Sequence, residues 1–109
     1  MDTSRGKPAA GVKIRLSILE GGNARRLKTA VTNSDGRTDE PLLSGRELAA
    51  GRYELIFGAG AYFRSLGEQL SDPPFLDEVI VRFGLSDPAQ NWHVPLLLSP
   101  YGYSTYRGS

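Results

Sequence analysis

The strongest constraint on this chain is a period-two alternation confined to short runs. In GVKIRLSILE (residues 11–20), Val12, Ile14, Leu16 and Ile18 fall on one side of an extended backbone, with Lys13, Arg15 and Ser17 on the other. Successive strand side chains point to opposite faces, so this is the signature of a half-buried β-strand. The pattern recurs. GRYELIFGA sets Tyr53, Leu55 and Phe57 against Glu54 and Ile56, and DEVIVRFGL sets Val79, Val81 and Phe83 against Ile80 and Arg82. ARRLKTAVT, NWHVPLLLS and YGYSTYRG supply three further candidate strands. Pro95 lies inside the second of these, which a ladder tolerates only where no backbone donor is needed, at an edge or an irregularity.

Turn-forming clusters separate the runs: Gly21-Gly22-Asn23, Asn33-Ser34-Asp35-Gly36, Asp72-Pro73-Pro74 and Ser99-Pro100. These residues bend a chain because they accept positive φ, fix φ, or bond to their own backbone. The first cluster predicts a hairpin joining the first two strands. One short helix is predicted around AYFRSLGEQ, where Tyr62, Phe63 and Leu66 have helical spacing before Gly67 can end it. Six or more short strands with one short helix predict an all-β sandwich. No repeat, low-complexity segment or linker divides the sequence, and 109 residues suit a single domain, residues 1–109.

Composition narrows the chemistry. There is no cysteine, which removes disulfides, thiolate metal sites and a cysteine nucleophile. Thirteen basic and 12 acidic residues leave a net charge of +1, with only a modest cluster at Arg25, Arg26 and Lys28, so nucleic acid is not an expected partner. No apolar run reaches the roughly 20 residues of a membrane span. MDTSRGKPAAG lacks the apolar centre of a signal peptide, which leaves a cytoplasmic location as the expectation.

His93 is the sole histidine, and imidazole suits proton transfer near neutral pH. From composition alone, a histidine on a sheet surface is the plainer reading. Alternation adds a consequence: if Val94, Leu96 and Leu98 face the core, then His93, Pro95 and Leu97 share the opposite face, which a partner subunit would cover. In the last run Tyr101, Tyr103 and Thr105 point one way, and Gly102, Ser104 and Tyr106 the other. Arg37 follows Asp35-Gly36 directly, where a guanidinium could grip a planar, oxygen-rich ligand through two N–H groups. A solvated turn arginine is the commoner case. Asp77 and Glu78 are adjacent on a strand, point to opposite faces and cannot share one substrate proton. One histidine is too few for the usual metal sites, and no phosphate-binding loop spacing is present.

Four stretches, DTSRGKPAAGVKIRL, TNSDGRTDEPL, AGRYELIFGAGAYFRSLG and WHVPLLLSPYGYSTYRGS, carry a resemblance to the transthyretin-like proteins, and within them to the 5-hydroxyisourate hydrolases. Tyr106-Arg107-Gly108-Ser109 is similar to the C-terminal tetrapeptide that separates those hydrolases from the hormone-carrying transthyretins. The resemblance implies a sandwich of two four-stranded sheets, a dimer formed through edge strands, and two dimers around a central channel. It implies hydrolysis of 5-hydroxyisourate to 2-oxo-4-hydroxy-4-carboxy-5-ureidoimidazoline in urate breakdown, with no metal or organic cofactor. His93 would position or activate water, and Arg37 would bind and polarise the ring. Tyr106, Arg107, Gly108 and Ser109 would shape the pocket, Ser109 adding a terminal carboxylate. The family's opening segment normally reads H-V-L-D, and here only Asp2 matches its aspartate, with Met1 at its leucine. The expectation is therefore a chain lacking the first few residues of the family's N-terminal strand, with impaired activity for want of that histidine. The alternative reading is a non-catalytic carrier of a small flat aromatic ligand. Tyr106 bears on the choice, since a bulky side chain facing the channel would close the deep tunnel a carrier needs.

Overall fold

A computed structural model describes residues 1–39, 49–87 and 94–106 of the chain. Six strands and one helix follow in order: β1 (Lys13–Glu20), β2 (Asn23–Val31), β3 (Gly51–Phe57), α1 (Ala59–Ser65), β4 (Val79–Leu85), β5 (Leu96–Ser99) and β6 (Gly102–Thr105). The first four strands form an antiparallel sheet in the order β2-β1-β3-β4, and β5 pairs with β6 in a second sheet.

The predicted hairpin is present. Gly21 and Gly22 both take positive φ, 56° and 86°, as a tight two-residue turn between twisted strands requires. The β1–β2 register shifts between Leu16 and Ser17, because Lys28 opposes Leu16 while Arg26 opposes Ser17. The residue left between them, Leu27, packs against the core, so the bulge turns an apolar side chain inward from an otherwise exposed edge strand.

Alternation on β3 and β4 translates into burial. Tyr53, Leu55, Phe57, Val79 and Leu85 are buried, while Ile80 and Arg82 are exposed. Glu54 is the exception: it is buried although it points away from that core face, and it accepts a hydrogen bond from Arg82 Nε at 2.9 Å. From the second sheet Leu98 enters the core, with Leu96 and Val94 packed against it, as the alternation predicts. Full burial of side chains such as Leu16, Phe63 and Leu98 contributes about 1.5–3 kcal/mol each. Pro95 lies just before β5, so the ladder begins one residue after it.

The helix begins earlier than its sequence pattern suggests and ends at Ser65. Its buried side is Ala59, Gly60, Tyr62 and Phe63, whereas Leu66 has left the helix and is exposed. Gly67, at φ 78°, donates to Arg64 O at 3.0 Å and closes the C-terminus. Gly60 cannot be larger: an added Cβ would lie 2.9 Å from Pro74 Cγ and 3.1 Å from Leu76 O.

The larger sheet has the four strands the family resemblance implies. Among the described residues the second sheet has two strands, with Met1–Thr3 running alongside β5 as a single parallel bridge, Asp2 to Leu98. The Asp2 carboxylate draws the Ser4 and Arg5 N–H groups into a turn directly after this bridge.

Candidate active site

A cavity of about 950 Å³ opens where three loops meet the edge of the sandwich. Its floor is apolar, from Val12, Ile14, Leu55 and Phe57 on one side and Leu96 and Leu98 on the other. Its rim is polar and carries Lys7, Asp35, Arg37 and Asp39. An apolar floor beneath a few convergent polar groups is the usual form of a small-molecule site, and low local polarity strengthens hydrogen bonds made there.

Arg37 reaches this rim because Asn33 builds the turn that carries it. Asn33 Oδ1 accepts hydrogen bonds from the Asp35 and Arg37 N–H groups at 2.9 and 3.2 Å, and Asn33 N donates to Arg37 O at 2.7 Å. Asn33 Nδ2 donates to Asp39 Oδ1 at 3.1 Å, tying the far end of the turn to its start. Gly36 is needed twice over. It has φ 73°, and an added Cβ would lie 3.0 Å from Ala9 N and 3.1 Å from Pro8 Cβ.

The loop beneath this turn is held at both ends. Thr32 Oγ1 donates to Ala9 O at 2.6 Å and accepts from Val12 N at 2.9 Å. At the other end, Asp2 and Lys7 exchange backbone hydrogen bonds of 2.9 and 3.3 Å. The Asp2 side chain is fully buried. Its Oδ1 accepts from Ser4 N, Ser4 Oγ and Arg5 N, and its Oδ2 accepts from Tyr62 OH at 2.8 Å. Burial alone would push this carboxyl up, but the hydrogen bonds from Ser4, Tyr62 and Arg5 outweigh it and hold Asp2 below its usual 3.8. Burial and the facing carboxylate push the Tyr62 hydroxyl up.

Of the site residues expected from sequence, Arg37 and Tyr106 border the same cavity. Tyr106 is 58% exposed and follows β6 directly. His93, Arg107, Gly108 and Ser109 lie outside the described residues. Val94 and Pro95 are both on the cavity wall, and Leu97 opposes Ser104 on the non-core face of the second sheet. Among the described residues no group of three His, Cys, Asp or Glu side chains could hold a metal ion. The Asp77-Glu78 pair is accounted for structurally, since Glu78 accepts from Arg15 at 2.7 Å.

Sequence reasoning passed over Asp2, Asn33, Thr32 and Lys7 as contributors to the site. A signal existed for two of them. An Asp or Asn two residues ahead of a backbone N–H it can bond marks an Asx turn, and both Asp2-Thr3-Ser4 and Asn33-Ser34-Asp35 have that form.

A two-sheet antiparallel sandwich with one short helix defines the class, and known proteins of that fold agree with it. The sequence model of the HIUase/Transthyretin family matches residues 1–108, and the chain belongs to that family. It is 58% identical over 109 residues to 5-hydroxyisourate hydrolase 2 of Rhizobium meliloti (strain 1021), covering 100% of this chain and 91% of that protein. The solved structure of Klebsiella pneumoniae 5-hydroxyisourate hydrolase superposes with a TM-score of 0.80 at 37% identity, covering 100% of this chain and 93% of that one. Transthyretin from Sparus aurata superposes with a TM-score of 0.84 at 29% identity, covering 99% and 90%. Backbone likeness does not rank the hydrolase above transthyretin; sequence likeness does.

Proposed function

We propose that this chain hydrolyses 5-hydroxyisourate to 2-oxo-4-hydroxy-4-carboxy-5-ureidoimidazoline, a step of urate breakdown. The observation that carries the reading is the 58% identity, across the whole chain, to a protein named for that activity. The shared cavity of Arg37 and Tyr106 supports it.

The reaction adds a water oxygen to a ring carbonyl carbon, breaks the ring C–N bond and leaves a carboxylate and a protonated nitrogen. It needs an aligned water, a base for its proton and donors for the oxyanion. In this reading His93 takes the water proton, and the Arg37 guanidinium holds the ring and donates N–H groups to the developing oxyanion. Tyr106, Arg107, Gly108 and Ser109 close the pocket around the ring. The protein works without a metal or organic cofactor, in the cytoplasm, as a single domain. A homotetramer supports the arrangement: two dimers stacked on the face of Pro95, Leu97 and Ser104 would cover those half-buried and exposed side chains.

The test follows freshly generated 5-hydroxyisourate by ultraviolet absorbance, with and without the protein. A second arm uses the chain with His-Val-Leu placed before Asp2. Accelerated loss over spontaneous decay, with the ureidoimidazoline as product, is the expected result. Saturable binding of a flat aromatic ligand without acceleration in either arm would favour the carrier reading, to which the likeness to Sparus aurata transthyretin lends its support.

A further inference from the structure

We propose that the buried Asp2–Tyr62 hydrogen bond positions Arg37, through the loop that lies between them, and is therefore a determinant of catalysis. The inference rests on the hydrolase reading for its kinetic arm only.

The path is continuous in the structure. Tyr62 is fixed in the core, 2% exposed, with its ring edge-to-face against Phe63 at 4.9 Å. Its hydroxyl reaches Asp2 Oδ2 at 2.8 Å, across 60 residues of chain. Asp2 gathers Ser4 and Arg5 on its other oxygen and is paired through its backbone with Lys7. Pro8 and Ala9 follow at once, and they lie against Gly36, so close that an added methyl group would crowd them at 3.0–3.1 Å. Arg37 is the next residue.

This arrangement does more than seal the core. A carboxylate fully removed from water is costly unless every lone pair is served, and here one oxygen serves a loop and the other serves the helix. Asn33 and Thr32 fix the shape of the Arg37 turn and the Ala9 end of the loop, but both belong to the β2 side of the cavity. Asp2 supplies the Lys7 end of the loop with a fixed tie to the helix. A misplacement of about 1 Å at a reacting group can cost on the order of 10²-fold in rate.

The test compares Tyr62→Phe, which removes one hydroxyl from a buried ring, with Val79→Ala, a core truncation away from the cavity chosen for comparable loss of stability. Amide hydrogen exchange is the readout that needs no substrate. Tyr62→Phe is expected to accelerate exchange at Ser4, Arg5, Gly36 and Arg37, and Val79→Ala to leave Gly36 and Arg37 as they were. In the kinetic arm, Tyr62→Phe is expected to lower kcat/KM about tenfold in the native background and not at all in Arg37→Ala, as residues acting as a unit are non-additive. Asp2→Asn is expected to restore most of the activity lost in Asp2→Ala, because an amide keeps an acceptor for Ser4 and Arg5 and can donate to the Tyr62 oxygen. Exchange that rises only at Ser4 and Arg5, or an undiminished Tyr62→Phe effect in Arg37→Ala, would overturn the proposal. A native chain inactive on 5-hydroxyisourate would overturn the function while the exchange result still decided the positioning.

Discussion

The β2-β1-β3-β4 sheet and the loop cluster around the cavity are held by different forces, and the contrast explains what each can do. The sheet is fixed by non-directional burial: Leu16, Leu55, Val79 and Leu85 need only to be apolar and on the correct side. The loops are fixed by directional bonds from a few polar groups, Asp2, Thr32 and Asn33, and by glycines in left-handed conformation, Gly6, Gly11 and Gly36. A sheet of that kind tolerates many sequences. A loop of the second kind fixes the backbone from which a guanidinium projects, which is what a reaction builds on. The two regions meet at Tyr62, whose ring belongs to the core and whose hydroxyl belongs to the loops.

The largest expected effect on stability comes from the core. Leu85→Ala, at a position 2% exposed, is expected to cost about 2–5 kcal/mol, read as a lowered midpoint in urea with an unchanged slope. Activity per folded molecule should hold; a parallel loss would mean that core and cavity are not separable. Next is Gly36→Ala. The left-handed φ alone costs roughly 1–2 kcal/mol, and the methyl must also displace Ala9 N, so both stability and kcat/KM should fall. An active and undiminished Gly36→Ala would show that the turn does not set the position of Arg37.

The smallest effect is on pH dependence, and its sign follows from Asp2. Its folded pKa lies below the ordinary 3.8, so its contribution to stability is complete above 3.8 and is lost as the pH falls below that value towards the folded pKa. The thermal midpoint should therefore fall more steeply below pH 3.8 in the native protein than in Asp2→Asn. Equal slopes would show that the carboxylate is not preferentially stabilised in the fold.

The legibility of each region follows the same division. Alternation exposed β1, β3 and β4 of the larger sheet because burial writes a period into sequence, and Gly21-Gly22 announced the turn into β2. The bulge at Leu27 was not legible, since it depends on which side of β2 the core lies. Nor was the early start of α1, where Gly60 carries no helical signature and is selected by close packing on Pro74 and Leu76. Arg37 and Tyr106 were singled out through the resemblance and share a cavity. The groups that seat them were missed, because a hydrogen bond from Tyr62 to Asp2 spans 60 residues and leaves no local pattern.

The most direct test of this division is a paired measurement on Arg37→Ala, taking unfolding stability and turnover of 5-hydroxyisourate from one preparation. Arg37 is exposed and holds its turn through backbone groups, so stability should change by no more than about 0.5 kcal/mol. Losing a preorganised donor to the oxyanion should lower kcat by about 10²–10³-fold. Turnover equal to that of the native chain, or a loss of stability large enough to account for the loss of activity, would contradict the account.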